Sequence, residues 1–467
     1  MKLGSALVLA MLLSTLAAAC SRPSRAPNIV LVVIDTARAD HFSSYGYPRP
    51  TTPHLDAFAR EAIRFEHAYS VSCWTVPAHA SMFTGLYPAT HWAGQINVWL
   101  DDRFTTIAEL LRARGYATAD FSGNPWVSPT TNLVQGFDVV QTMTARPDLA
   151  PTGAKPHPTN KLIADWLGRR PNDRPFFLFV NYLEPHAPYQ PPRQFEARFL
   201  PAGLSDAERA AALVPWTDWY LGRAGLTQAA AAARTALYDG EIAYADEIVS
   251  ELLDELRRAR AYDDSLIIVA SDHGENLGEH GHLTHVFALY ESTARVPLLV
   301  RLPGGARGGS VRTDPVQLVD VFSTIASFAG VPIDDPEVVG RDLFGPPSPP
   351  DRPILTEFDY PLHTLERFTP EERTSAALAP IRRSLRALLV GRYKLIAGSD
   401  GKRELYDVAS DPSESRNLRD ENPAEAASLE AQADQIAARF AGPRPSPHTA
   451  PLDATTEERL RELGYVR

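Results

Sequence analysis

Several short stretches of this sequence carry residue types that could do chemistry together. Asp35 follows the apolar run Asn28–Ile34, and Asp272-His273 follows a second run, Ser265–Ala270. Two carboxylates and an imidazole brought to one point form a ligand set for a divalent metal. One Asp after one strand means little, because Asp often caps the helix that follows; its pairing with Asp272 and His273 is the more specific signal. Between the two runs lies Cys73-Trp74-Thr75-Val76-Pro77-Ala78-His79. Thr75 there sits just before an expected short helix, whose free N–H groups and dipole can hold an anion. A third apolar run, Pro175–Val180, leads through Asn181 to Glu184-Pro185-His186.

These groups can meet only if the segments carrying them lie side by side. The three runs are apolar throughout and end abruptly in polar residues, as parallel strands buried on both faces do. Ligands of such sheets bind at the carboxyl ends of the strands, which is where the polar clusters fall. Helices must separate the strands. Thr106 and Glu109 form a capping-box pattern that opens a helix ending before Gly115, and Thr52-Pro53 begins another. From Ala236 to Arg260, Leu237, Ile242, Ile248, Leu252, Leu253 and Leu256 recur at helical spacing. Residues 197–235, Ala-rich and containing Trp216, Trp219 and Tyr220, are expected as a helical insertion near the mouth of the site, with the aromatics packing. The predicted fold class is therefore α/β, a mostly parallel sheet covered by helices on both faces, with a small C-terminal α+β subdomain. Gly345-Pro346-Pro347-Ser348-Pro349-Pro350 marks the boundary, giving a catalytic domain over 27–340 and a subdomain and tail over 350–467. In the latter, Ser384–Val390, Tyr393–Ile396 and Glu404–Val408 read as short strands, and a terminal helix is expected over about 455–463.

With 467 residues, 44% hydrophobic and 22% charged, the chain can bury an ordinary globular core, which excludes disorder, collagen and a solenoid of short repeats. Forty-six Lys and Arg against 57 Asp and Glu give a net charge of −11 with no basic run, so no nucleic-acid partner is expected. Residues 1–20 read as a signal peptide: basic Met1-Lys2, apolar Ala6 to Leu16, then Ala17-Ala18-Ala19-Cys20. The apolar part is too short to span a membrane. Leu16-Ala17-Ala18-Ala19-Cys20 resembles a bacterial lipoprotein box, so Cys20 is expected to carry lipid and to tether the protein to a membrane of the cell envelope, on its periplasmic or outer surface. Cys73 is the other cysteine, and no intrachain disulfide is expected.

At these motifs the chain resembles the sulfatase family of the alkaline phosphatase superfamily. Asn28–His41, with Tyr45-Gly46-Tyr47 after it, is similar to the family's first metal motif, and Thr75–Gly85 to its nucleophile motif. Glu184–Tyr189 is similar to the substrate-histidine motif and Ser271–Glu275 to the second metal motif. Arg295-Val296-Pro297-Leu298, Asp320, Leu405-Tyr406-Asp407, Asp411-Pro412-Ser413-Glu414 and Asn417-Leu418 also fall where the family has them. The resemblance implies an alkaline-phosphatase-like fold and one divalent metal held by Asp35, Thr75, Asp272 and His273, with Thr75 also the nucleophile. It implies that His186 and His285 contact the substrate or protonate its leaving group. It further implies substrate contacts by His79, which stands where sulfatases carry Arg, and by Asn124, through the ester oxygens.

The departures from the family pattern are equally informative. Sulfatases present Cys-x-Pro-x-Arg and oxidise the Cys to formylglycine, whereas this chain has Thr75-Val76-Pro77-Ala78-His79, with Cys73 out of register. Threonine cannot become formylglycine. Thr36 follows Asp35 where a calcium sulfatase has a second carboxylate, and His273 replaces the usual Asn, so Mn²⁺ or Zn²⁺ is expected ahead of Ca²⁺ or Mg²⁺. The expected activity is metal-dependent hydrolysis of an anionic ester, phosphoester or phosphonate ahead of sulfate. Two alternatives stay open: transfer of the phospho group to an envelope glycan or lipid, and a non-catalytic glycan-binding lipoprotein.

Overall fold

The structure, a computed structural model, describes residues 26–142, 156–170, 173–443 and 454–463. The signal-peptide and lipidation expectations, Cys20 included, lie outside these residues. Among the described residues no helix is long and apolar enough to cross a membrane.

All three apolar runs are adjacent strands. Asn28–Ile34 lies between Phe176–Tyr182 and Ser265–Ala270 and is parallel to both. Ile29, Leu31 and Val33 enter one core layer, whereas Val30, Val32 and Ile34 enter the layer on the opposite face. Both faces are covered, which is why no polar residue interrupts the run. Among the described residues the sheet has eight strands. Beyond Phe176–Tyr182 come Ala117–Ser122 and Val139–Thr142, both parallel. Beyond Ser265–Ala270 come Leu298–Arg301, antiparallel to each of its neighbours, then Ile63–Phe65 and Val311–Arg312. The sheet is thus mostly parallel, as the sequence predicts.

Several boundaries differ from the sequence-based expectation. The strand expected over Pro175–Val180 runs on through Asn181 and Tyr182, which still pair with Val33 and Ile34. The strand Ala117–Ser122 has no clear sequence signal, because Thr118, Asp120 and Ser122 break its apolar pattern although every residue of it is buried. The long helix starts at Gln228 rather than Ala236 and ends at Arg258. Thr227 caps it by accepting the Ala230 N–H, and the alanine run that follows has the highest helix propensity. The insertion ahead of it forms the short helices Arg193–Phe199, Asp206–Ala212 and Trp216–Tyr220. Trp216 packs on Phe287 and Phe368 and Tyr220 on Phe287, so these aromatics do pack. The predicted capping box of Thr106 and Glu109 is formed and opens the helix Ile107–Ala113.

The C-terminal subdomain is an antiparallel sheet of Ile354–Phe358, Leu385–Val390, Tyr393–Gly398 and Arg403–Asp407. Leu388, Leu395 and Leu405 pack on Ala426, Leu429 and Ala433 of the helix Pro423–Phe440. A buried ion pair ties the two parts together. Arg352 donates to the two oxygens of Asp320 at 2.6 and 2.8 Å, and Asp320 also accepts the N–H groups of Gln317 and Arg341. Removing one partner of a buried pair leaves an uncompensated charge, so Arg352→Met is expected to cost about 3–5 kcal/mol. Urea unfolding followed by intrinsic fluorescence will read it as a lower midpoint; an unchanged midpoint would show that the pair is dispensable.

Candidate active site

Asp35 is the first residue beyond the central strand, and its N–H donates to the Tyr182 carbonyl at 2.9 Å. Thr36, next to it, has φ 57°, a left-handed conformation that costs a β-branched residue roughly 1–3 kcal/mol. Cross-links from other segments hold it there. Thr36 N–H donates to Asp272 Oδ1 at 3.1 Å, the Tyr238 hydroxyl donates to the Thr36 carbonyl at 2.7 Å, and Ala37 N–H donates to Ser271 Oγ at 2.8 Å. The turns after the two neighbouring strands are therefore bonded to each other, which fixes Asp35 beside Asp272. Gly274 follows His273 where a Cβ would stand 2.0 Å from the Ser292 carbonyl oxygen, so only glycine lets the chain pass.

Asp35, Asp272 and His273 are wholly buried, and each can offer a ligand atom within 4.8 Å of the other two. His273 Nδ1 donates to the Gly274 carbonyl at 3.0 Å. That bond fixes the tautomer and leaves the lone pair on Nε2, which stands 3.2 Å from Asp272 Oδ2. Asp35 Oδ2 accepts the Asn124 amide at 2.7 Å and the Asn181 amide at 3.4 Å. Asp35 Oδ1 and Asp272 Oδ2 have no hydrogen-bond partner among the described residues. Burial pushes the Asp272 carboxyl up to about 7. Burial, and then the Asp272 charge, push Asp35 well above the carboxylate range. A divalent cation held by these carboxylates would reverse both effects. Burial also holds His273 neutral, the form that ligates. Two orphaned carboxylate oxygens and one oriented imidazole nitrogen fit a divalent metal.

Thr75 is the first residue of the helix Thr75–Thr84 rather than the residue before it, and Trp74 is the cap. Its Oγ lies 3.3 Å from Asn124 Nδ2 and 3.5 Å from His273 Nε2. Asn124 thus donates to both Asp35 and Thr75, which locks the hydroxyl against the carboxylate. His79 donates from Nδ1 to the Thr75 carbonyl at 2.9 Å, faces the Asn181 amide with Nε2 at 3.5 Å, and packs edge-on against Phe83 and Phe179. Burial lowers its pKa to about 3, so a neutral ring braces the first turn of the nucleophile helix. Cys73 is buried in the core and burial pushes its thiol up, which keeps it from being a thiolate near neutral pH.

His186 and His285 stand beside this centre, their rings 5.1 Å apart, with His285 4.6 Å from His273. His186 donates from Nδ1 to the Ala187 carbonyl at 2.6 Å. Burial drives His186 to about 3 and His285 well below its ordinary value, so both rest neutral. The fold therefore gathers Asp35, Thr75, His79, Asn124, His186, Asp272, His273 and His285 in one place. Sequence reading assigns no role to Asn181, whose only signal is being the first polar residue after an apolar run. It also assigns none to Glu275, Tyr189 or Arg234, which lie behind the histidines.

Comparison with known proteins agrees with this fold. The family model described as Sulfatase matches residues 27–331. The choline-sulfatase of Rhizobium meliloti (strain 1021) is 27% identical over 467 residues, covering 89% of this chain and 87% of that protein. The multifunctional alkaline phosphatase superfamily protein PehA of Trinickia caryophylli is 26% identical over 475 residues, covering 84% of this chain and 91% of its own. The crystal structure of the phosphonate monoester hydrolase of Agrobacterium radiobacter shares the fold, with a TM-score of 0.70 at 23% identity, over 89% of this chain and 96% of that one.

Proposed function

The chain belongs to the sulfatase family and is an ester-hydrolysing enzyme, and from that premise we propose that it cleaves phosphate or phosphonate esters with Thr75 as nucleophile. A bound divalent metal supplies Lewis acidity, polarising the ester and lowering the pKa of a ligating hydroxyl. Asp35, Asp272 and His273 would hold it. Asn124 donates to Thr75 Oγ and fixes its direction. Thr75 Oγ attacks the central atom in line with the leaving oxygen, forming a covalent Thr75 ester. His186 and His285, beside the centre, move the proton that the leaving oxygen takes up. Water then releases the acid and restores Thr75.

The observation that carries this reading is the position of the Thr75 hydroxyl, bonded to Asn124 and 3.5 Å from His273 Nε2, with the Cys73 thiol buried in the core. Rapid quench with a 4-nitrophenyl phosphonate ester followed by peptide mass spectrometry tests it. The expected result is a phosphonyl adduct on the peptide holding Thr75, absent in Thr75→Ala; an adduct on another residue, or none under burst conditions, would overturn the reading. We also propose attachment to the cell envelope through a lipid on Cys20. Cys20→Ser is expected to move the protein from the membrane fraction to the soluble one or to block its processing, and a soluble, normally processed wild type counts against it.

A further inference from the structure

Behind the two histidines sits a buried carboxylate that the reading above leaves without work. Glu275 is fully buried, and neither of its carboxylate oxygens has a hydrogen-bond partner among the described residues. A carboxylate so placed is costly unless positive charge or donors face it. Its surroundings provide them: the Arg234 guanidinium and the Tyr189 hydroxyl face it, and His285 Nδ1 stands 3.8 Å from Oε1. Arg234 comes from the helix Gln228–Arg258, gives Nη1 to the Ala212 carbonyl at 3.1 Å and lies 4.9 Å over the Tyr189 ring. The backbone that carries the carboxylate is pinned. Glu275 N–H donates to the Ser292 carbonyl at 3.0 Å, and Gly274 N–H donates to the Thr293 carbonyl at 2.8 Å.

We propose that Glu275, framed by Arg234 and Tyr189, is a positioning residue for proton transfer: it holds the His285 imidazole through Nδ1 and so presents Nε2 to the leaving oxygen. The neighbouring ring has a different anchor, since His186 Nδ1 is already committed to the Ala187 carbonyl at 2.6 Å. The inference rests on the Thr75 reading. As the Thr75 Oγ–phosphorus bond forms and the bond to the leaving oxygen breaks, the proton given up by Thr75 enters the adjacent His186–His285 pair, whose rings are 5.1 Å apart, and His285 Nε2 delivers one to that oxygen. In the second half the water oxygen bonds phosphorus and the Thr75 Oγ–phosphorus bond breaks, His285 Nε2 takes a water proton, and Thr75 Oγ recovers one from the histidine pair. In each half the ring is transiently an imidazolium, and a carboxylate at Nδ1 both orients and stabilises it.

The test compares phenyl and 4-nitrophenyl esters of one phosphonate, since the poorer leaving group needs the proton more. Glu275→Gln is expected to lower kcat/KM about 100-fold for the phenyl ester, in line with general acid–base contributions, and far less for the 4-nitrophenyl ester, with metal content unchanged. Glu275→Asp should recover part of the loss, and Glu275→Gln added to His285→Ala should cost nothing more. Equal losses on both esters, additive loss in the double variant, or a fall in bound metal would each overturn the proposal. If wild type forms the Thr75 adduct yet Glu275→Gln affects both esters alike, only this inference fails; if no adduct forms, the underlying reading fails.

Discussion

Asp35→Asn and His273→Ala will each lower kcat/KM by at least about 10³-fold, the size expected when roughly 4 kcal/mol of transition-state stabilisation by a metal is lost. Chelation of the wild type will do the same, and Mn²⁺ or Zn²⁺ will restore activity more effectively than Ca²⁺. The reason lies in the donor set. Asp35 Oδ1 and Asp272 Oδ2 are buried without hydrogen-bond partners among the described residues, and His273 presents Nε2 because Nδ1 is bonded to the Gly274 carbonyl. Asparagine keeps the shape of Asp35 but removes the charge that the metal needs. A second readout is independent of activity: metal addition should raise the Tm of wild type, because a ligand that binds only the folded state stabilises it, and should leave Asp35→Asn unmoved. Full activity in Ca²⁺ alone, or an Asp35→Asn protein that retains stoichiometric metal, would show that the ligand set is wrong.

Much of this site can be read from the sequence because its residues sit at the ends of strong signals. Three continuous apolar runs predict buried parallel strands, and the rule that ligands gather at carboxyl ends points to Asp35, His186, Asp272 and His273. The sheet confirms the adjacency, with Asn28–Ile34 between the other two. What escapes is what depends on tertiary contact. Ala117–Ser122, the strand that leads to Asn124, alternates polar and apolar residues yet is buried throughout, so its pattern reads as half-exposed. Asn181 lies inside a strand rather than after it, and its role follows only from the Asp35 and His79 atoms that it reaches. Arg234 belongs to a helix whose alanine-rich sequence signals packing alone, and nothing local marks its guanidinium as acting on Glu275. His79 shows the converse: its register in the nucleophile motif suggests a substrate contact, while the fold turns Nδ1 back onto the Thr75 carbonyl.

Steady turnover will favour phosphate diesters and phosphonate monoesters over the matching sulfate esters, and Thr75→Ala will remove activity on all of them. A formylglycine hydrate carries two hydroxyls, so after one takes up the sulfuryl group the other can expel sulfate by collapse to the aldehyde, without attack at sulfur. Thr75 has one hydroxyl. Its covalent ester must be broken by a nucleophile at the central atom, a step open to phosphoryl groups with metal and general-base assistance. His186 and His285 rest neutral, so each keeps a ring nitrogen lone pair that can take the proton of that attacking water. A sulfated Thr75 lacks the collapse route and is expected to accumulate. An aryl sulfate should therefore give a burst of about one equivalent of phenol per site and then stall, whereas the aryl phosphodiester turns over continuously. Intact-mass spectrometry of the stalled enzyme should find sulfate on Thr75, with Cys73 unmodified. Continuous turnover of the aryl sulfate at a rate above that of the phosphodiester, by protein whose Thr75 and Cys73 are both shown to be unmodified, would sink the assignment, because a single hydroxyl offers no other path to release sulfate without attack at sulfur.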